Sequence, residues 1–228
     1  MVSVASIARR LGRAARFGRY DHKKVFEHIF DSRYWGDKES VSGLGSSMSQ
    51  TEHVRRELPL LMKRHNLHTL FDAPCGDLHW MRHILETNDI AYIGGDIVPG
   101  VVEAAKANCP SKNASFRVFD IMTDDFPKAD IWLCRDVLFH LSNKNIFETL
   151  RNFGRSEIPY ILVTTHTAPE VINRNIVTGD FRRIDLFKPP FNFPASVVVD
   201  RFVDFAPPAN PRDLVLIRRE DIARLAAE

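Results

Sequence analysis

The stretch FDAPCGD at residues 71–77 decides the fold, because a short hydrophobic run ends there at an aspartate and a turn follows. The same arrangement returns in GGDI at 94–97 and again in FDI at 119–121. A helical pattern lies between the last two, at 99–108, and it opens with a proline that suits a first helical turn. β-rich runs that alternate with helices predict parallel βαβ units.

The same alternation extends in both directions along the chain. Seven strands are predicted, at 68–74, 91–97, 114–120, 129–136, 160–166, 196–205 and 212–219, with helices at 51–65, 77–87, 99–108 and 143–154. The last two strands flank the turn sequence APPANP, which favours a hairpin. The predicted fold is therefore α/β, with a mostly parallel seven-stranded sheet that ends in an antiparallel hairpin.

The size and composition of the chain indicate one domain. The 228 residues are 44% hydrophobic, and no apolar run reaches the roughly 18 residues that a membrane span needs. We expect a basic N-terminal tail and one domain made of four parts. The tail is 1–24 and the domain 25–228, divided into N-terminal lid and helices (25–66), cofactor-binding core (67–166), acceptor-binding insertion (167–195) and terminal hairpin (196–219).

The charge is unevenly distributed. Residues 1–20 hold five arginines and no acid, so the rest of the chain has 26 basic and 29 acidic residues, a net charge of about −3. This balance argues against a nucleic-acid partner. The tail itself suits an unstructured end, a peripheral membrane contact or, in a eukaryote, a mitochondrial targeting segment. Three scattered cysteines predict neither a disulfide framework nor a zinc site, so we expect a cytoplasmic protein.

Three aspartates end successive predicted strands: Asp72, Asp96 and Asp120. Parallel strands meet at one edge of a sheet, where ligands of open α/β folds bind. A carboxylate at the second strand can accept hydrogen bonds from ribose hydroxyls, and one at the third strand from an adenine amine. The three carboxylates predict an adenosine-shaped site.

The first turn indicates which adenosine cofactor is bound. A dinucleotide requires the pattern GxGxxG, but here only Gly76 matches, and Asp77 puts a negative charge where a pyrophosphate would lie. The ammonium and sulfonium groups of S-adenosylmethionine would instead be attracted by Asp72 and Asp77. The turn therefore favours that cofactor.

In these motifs the sequence resembles the class I S-adenosylmethionine-dependent methyltransferases. FDAPCGD, GGDI, FDI and CRDVLFHL (134–141) stand in the order and at the spacing of that family. The resemblance implies a Rossmann-like sandwich in which Gly76 lies against the methionine part, Asp96 holds the ribose, and Asp120 with Ile121 brackets the adenine. Ile97 is a further candidate for cofactor binding. The first turn departs from the family pattern, because Pro74 and Cys75 stand where glycines are common.

A hydroxyl acceptor requires a general base, and two histidines follow strand ends. His140 lies four residues after Asp136, so one helical face would let Asp136 orient the imidazole of His140. His166, at the end of the fifth strand, is the rival base. The alternative for either histidine is a structural role in the wall of the site.

Other residues have predicted roles around this centre. Asp136, Asp180 and Asp185 are candidate ligands for Mg²⁺. Arg135 is either a bidentate partner of the cofactor carboxylate or an ion-pair partner of Asp136. Trp35, with the serine-rich loop 42–47, is a candidate lid. The insertion supplies three candidates for acceptor binding: Asn173, Asp180 and Arg182.

The acceptor class is suggested by a weaker resemblance. WGDKESVSGLGSS (35–47) and GDFRRIDLFKPPF (179–191) are similar to a subgroup of bacterial methyltransferases associated with glycan modification. We therefore expect O-methylation of a saccharide or another small polar hydroxyl compound. The alternatives are a small-molecule N-methyltransferase, an RNA methyltransferase and a catalytically silent cofactor-binding partner.

Overall fold

The computed structural model describes residues 17–18, 21–35, 37–205 and 210–226. Its strands are β1 (Thr69–Asp72), β2 (Ala91–Asp96), β3 (Ala114–Val118), β4 (Ile131–Cys134), β5 (Tyr160–His166), β6 (Val198–Phe205) and β7 (Arg212–Arg218). Its helices are α1 (His22–Asp31), α2 (Glu52–Arg64), α3 (Met81–Thr87), α4 (Pro99–Asn108), α5 (Asn143–Gly154) and α6 (Arg219–Leu225).

The strands form one sheet in the order β3-β2-β1-β4-β5-β7-β6. The pairs from β3 to β5 are parallel, whereas β7 runs antiparallel to both β5 and β6. The predicted mixed sheet and its terminal hairpin are confirmed. Within the hairpin, β7 lies between β5 and β6, and β6 is the edge strand. The carboxyl ends of β1 to β4 meet at one edge.

Successive residues of the central strands pack into different layers. Phe71 and Trp132 belong to the core beside α5 and α6, while their neighbours Leu70 and Ile131 belong to the core beside α2 and α3. This alternation follows from the two-residue period of a strand. Each face of the sheet is therefore covered by helices, as a parallel sheet requires.

Two helices were not predicted, and one begins later than expected. Helix α1 starts after Asp21, whose carboxylate accepts a hydrogen bond from the backbone N–H of Lys24. Residues 21–24 therefore belong to the fold and not to the tail, while residues 1–16, 19 and 20 of that prediction lie outside the described residues. Helix α3 starts at Met81 because the turn before it has Leu78 at a φ of 62°. Helix α6 closes the described chain after β7.

Within the described ranges, every helix is too short or too polar to cross a membrane.

Candidate functional site

A solvent-open cleft of about 1060 Å³ lies at the carboxyl edge of β1 to β4. Strand ends form its floor, and the segment before β1 covers it. We call residues 21–35 and 37–48 the cover segment. Of the predicted residues, the cleft is lined by Trp35, Asp72, Gly76, Asp96, Ile97, Asp120, Ile121, Arg135, Asp136 and His140.

Asp96 ends β2 and is 8% exposed. Its carboxylate accepts hydrogen bonds from the backbone N–H groups of Gly76 (3.3 Å) and Val98 (3.0 Å). Burial raises the pKa of Asp96 to about 6. A ligand that donates hydroxyl groups to this carboxylate would stabilise its charged form.

Asp72 ends β1 and is 3% exposed. The phenol of Tyr92 donates a hydrogen bond of 2.7 Å to its carboxylate. Burial raises the pKa of Asp72 to about 7. A cation in the cleft would compensate this buried charge.

Asp120, just beyond β3, is paired with His22, which lies in the predicted tail. His22 Nε2 lies 2.5 Å from its carboxylate, which also accepts a hydrogen bond from the backbone N–H of Met122 (2.9 Å). Burial opposes ionisation, but the His22 contact lowers the pKa of Asp120 below its usual value, and the same contact raises the pKa of His22. The partner was missed because nothing local in the sequence connects positions 22 and 120.

The cover segment contributes apolar and hydroxyl groups to the cleft, among them Phe26, Ile29, Phe30, Trp35, Val41, Ser42 and Ser46. Asp77 anchors this segment: its carboxylate accepts hydrogen bonds from the Ser40 hydroxyl (2.8 Å) and the Val41 N–H (3.0 Å). Asp77 does not line the cleft. Its carboxylate binds the cover segment, and the expected attraction between Asp77 and a bound cation is not supported by this placement. Trp35 lines the cleft within this cover, where the sequence placed a lid.

Arg135 is buried and its donors are largely used within the protein. Its Nε lies 3.2 Å from both carboxylate oxygens of Asp204, and Nη1 and Nη2 each donate to the Gly45 carbonyl at 3.1 Å. The guanidinium also lies 5.3 Å from the ring centre of Trp80. Nε, Nη1 and Nη2 thus each donate within the protein, and one further N–H remains on each of Nη1 and Nη2, so the bidentate grip on a cofactor carboxylate stays a prediction. The other predicted role of Arg135, as an ion-pair partner of Asp136, agrees with the 3.4 Å distance between Nη1 and the Asp136 carboxylate.

His140 faces the cleft with one ring nitrogen held. Its Nδ1 lies 2.9 Å from the backbone carbonyl of Asp180 and must donate, since a carbonyl only accepts. Nε2 is therefore the unprotonated nitrogen of the neutral ring. Burial lowers the pKa of His140 to about 4, which keeps the ring neutral at physiological pH. The ring stacks against Trp35, with centres 4.6 Å apart.

Asp136 does not orient His140 as predicted. Its carboxylate accepts a 2.7 Å hydrogen bond from Arg212, and among the described residues no hydrogen bond joins it to His140. Asp136 has a φ of 59° and Leu138–His140 is a 3-10 turn, so the two side chains do not share an α-helical face. Burial opposes ionisation of Asp136, but the neighbouring guanidinium groups lower its pKa.

His166 lies outside the cleft lining. It is 1% exposed, its Nδ1 lies 3.2 Å from the Ile184 carbonyl, and its Nε2 is buried without a partner in the described chain. Burial lowers the pKa of His166 to about 4. His140 is therefore the histidine that the structure places at the cleft.

The three candidates in the insertion brace the structure and do not line the cleft. Asn173 bonds to the backbone of Asp185 and Lys188, and Arg182 donates to the Leu138 carbonyl (3.3 Å) and to Asn143 (3.0 Å). The Asp180 side chain is buried, and its carbonyl holds His140. Their predicted role in acceptor binding is not supported by this placement.

The predicted magnesium ligands are not assembled. Asp185 accepts a hydrogen bond from the Phe187 N–H (3.0 Å), while Asp136 pairs with Arg212. Residues 17–18, 21–35, 37–205 and 210–226 contain no group of three histidines, cysteines or acids that could hold a metal ion. A magnesium site is therefore not supported.

Comparison by sequence finds no matching family and no similar curated protein. Comparison by structure finds methyltransferases. Human N-acetylserotonin methyltransferase in complex with S-adenosylmethionine superposes with a TM-score of 0.59 at 16% identity, over 92% of this chain and 65% of that chain. Magnesium protoporphyrin IX methyltransferase from Synechocystis PCC 6803, with S-adenosylhomocysteine bound, gives 0.61 at 14% identity, over 87% and 100% of the two chains. Mitomycin 7-O-methyltransferase gives 0.51 at 16% identity, over 67% and 49%. This chain thus spans just under two thirds of the human enzyme's length.

Proposed function

The chain has the fold of class I S-adenosylmethionine-dependent methyltransferases, and we propose that it transfers a methyl group from that cofactor to a hydroxyl oxygen of a small polar acceptor such as a saccharide. One observation carries the proposal: the carboxylates at the ends of β1 and β2 and just beyond β3 share one cleft with His140. That combination offers a cofactor site and a base at one sheet edge.

The residues of the cleft suit the cofactor. Asp96 presents a buried carboxylate to ribose hydroxyls, and Ile97 and Ile121 offer apolar surface to the adenine. Asp72 offers a buried carboxylate whose pKa burial raises to about 7, and a sulfonium or ammonium group beside it would stabilise its charged form. Gly76 has a φ of 56°, a conformation that side chains rarely adopt, and the absence of a Cβ lets Ser42 of the cover segment pack directly against the turn.

When bound, S-adenosylmethionine supplies an electrophilic methyl group and leaves as the thioether. The role of His140 is to accept the proton of the acceptor hydroxyl at Nε2 as the oxygen is alkylated. The Asp180 carbonyl fixes the ring by holding Nδ1–H, so the lone pair of Nε2 remains available. The low pKa of His140 keeps this nitrogen unprotonated over the whole neutral range.

A saccharide acceptor is supported by the wall beside the base. Trp35 presents an aromatic face next to His140, and aromatic side chains line most small-molecule sites. Residues 35 and 37–47, from the segment whose resemblance suggested glycan modification, belong to the cover segment and contribute Trp35, Val41, Ser42 and Ser46 to the cleft.

The first experiment is calorimetric titration with S-adenosylmethionine and S-adenosylhomocysteine, with NAD as a control. We expect micromolar affinity for both sulfur compounds and none for NAD. Asp96→Ala should abolish binding, while Asp125→Ala, at an exposed position outside the cleft lining, should not. Failure of the folded wild-type protein to bind either compound would end the methyltransferase proposal.

The second experiment measures methyl transfer to a panel of saccharides and small hydroxyl or amine compounds. His140→Gln should lower the rate about 100-fold or more while S-adenosylhomocysteine binding persists. His166→Gln serves as the comparison, because His166 does not line the cleft. Full activity of His140→Gln on an amine would identify an N-methyltransferase, and binding without any transfer would identify a silent partner.

A further inference from the structure

The cover segment places two unused hydroxyl groups in the cleft. Ser42 and Ser46 line it, and neither hydroxyl forms a hydrogen bond with any residue in the described ranges. Ser40 differs, because its hydroxyl donates to Asp77 and accepts from the Ser42 N–H. The two cleft-facing hydroxyls therefore have no structural partner of their own.

Ser42 lies directly over the turn that follows β1. A Cβ added to Gly76 would overlap the Ser42 hydroxyl and come within 3.2 Å of the Ser42 Cβ. Asp72, four residues before Gly76, also lines the cleft. The Ser42 hydroxyl thus stands at the end of the cleft where the proposed cofactor carries its amino-acid group.

Two backbone N–H groups of the turn are used within the protein. Pro74 lacks an N–H, the Cys75 N–H donates to the Gly95 carbonyl (2.8 Å), and the Gly76 N–H donates to Asp96 (3.3 Å). Among the described residues, Arg135 is the arginine or lysine that lines the cleft, and its Nε, Nη1 and Nη2 each donate a hydrogen bond to Asp204 or Gly45. The hydroxyls of the cover segment would add donors for a carboxylate at this end.

Each of the two serines has a neighbour in the chain that is hydrogen-bonded to the rest of the protein. Asp77 clamps Ser40 and Val41, and Arg135 holds the Gly45 carbonyl, so Ser42 and Ser46 each lie next to an anchored residue. Donors held in position before a ligand arrives lose little entropy on binding. The cover segment therefore presents the Ser42 and Ser46 hydroxyls to the cleft from positions that are already fixed.

We propose that Ser42 and Ser46 bind the amino-acid end of the cofactor, donating hydrogen bonds from their hydroxyls to its carboxylate, while Asp72 faces its cationic groups. This inference rests on the proposed function, and it assigns to the cover segment the task of binding one end of the cofactor.

The test compares two ligands that share the adenosine thioether and differ in the amino-acid group. S-adenosylhomocysteine has that group, and 5′-methylthioadenosine lacks it. In calorimetry, the double variant Ser42→Ala/Ser46→Ala should bind S-adenosylhomocysteine roughly ten-fold or more weakly, because a hydrogen bond to a charged group is lost. Its affinity for 5′-methylthioadenosine should change less than about two-fold.

Ser49→Ala is the matched control, since Ser49 lies in the next turn of chain, is exposed and contacts only the Ser47 hydroxyl. Unchanged binding of S-adenosylhomocysteine by the double variant would overturn the inference, as would equal loss of both ligands, which would indicate damage to the cover. If wild-type protein binds neither ligand, the proposed function fails and the inference with it. Each single variant then shows which hydroxyl contributes more.

Discussion

At the scale of single residues, the cleft depends on carboxylates that the fold keeps out of water. Burial raises the pKa of Asp72 to about 7 and that of Asp96 to about 6. Tyr92 and two backbone N–H groups compensate only part of that loss of solvation. The free protein therefore carries an electrostatic cost that a cationic, hydroxyl-bearing ligand would relieve.

Asp72→Asn should stabilise the free protein, and more so at high pH. The folded pKa of about 7 lies above the unfolded value near 3.8. The free-energy cost of ionising Asp72 in the folded protein is therefore small at low pH, and it reaches its full size above pH 7. Between pH 5 and 8 the stability advantage of the variant should grow by roughly 2 to 3 kcal/mol. Urea unfolding of both proteins at the two pH values measures it, and an advantage that does not grow with pH would contradict the burial argument.

At the scale of elements, the insertion between β5 and β6 holds the turn that carries His140. The Gly179 N–H donates to the His140 carbonyl (2.8 Å), the Asp180 carbonyl accepts from the His140 ring, and the Arg182 N–H donates to the Phe139 carbonyl (3.2 Å). Gly179 also packs against Val25 of α1. The insertion thus contacts both His140 and helix α1 of the cover segment.

Gly179→Ala should disturb this link. Gly179 has a φ of 96°, and an added Cβ would overlap the Val25 side chain. We expect a loss of roughly 2 to 4 kcal/mol in the free energy of unfolding, from backbone strain and overpacking. Adding Val25→Ala should recover at least about 0.5 kcal/mol relative to additivity, because it removes the overlapping methyl group. Strict additivity in a double-mutant cycle would show that the two elements do not meet as described.

At the scale of the whole molecule, a buried charge network joins distant parts of the chain. The Asp204 side chain in β6 is fully buried and accepts hydrogen bonds from Arg135, after β4, and from Arg212 in β7. Arg135 also holds Gly45 of the cover segment. The network therefore connects the hairpin, the sheet edge and the cover.

Asp204→Ala should destabilise the protein by about 3 to 5 kcal/mol, because it removes one of the two carboxylates that the buried cations Arg135 and Arg212 share and leaves only Asp136. Asp200→Ala in the same strand is the matched control. Asp200 accepts from Arg64 (2.9 Å) and His65 (2.8 Å) at a partly exposed site, so its loss should cost less than about 1 kcal/mol. Chemical denaturation of both variants compares them, and similar losses would show that the network is not what stabilises this junction.

Most of the fold could be predicted from the sequence because its signals are local. Hydrophobic runs that end at Asp72, Asp96 and His166 marked strand ends correctly, and the helices 99–108 and 143–154 have the predicted bounds. Helix α1 was not predicted, because the basic residues before it favoured an unstructured tail that extended to residue 24. Its buried residues Val25 and Ile29 pack with Phe17 and with Val177 of the distant insertion.

The sequence by itself determined that three carboxylates would share an edge, because parallel strands bring their carboxyl ends together wherever βαβ units follow one another. Only the tertiary structure decided which charged groups remain available to a ligand. Asp77 pairs with Ser40, Arg135 with Asp204 and Asp136 with Arg212, across separations of 37, 69 and 76 residues. A side chain binds whichever partner the folded chain brings within about 3 Å, and local sequence carries no record of that distance.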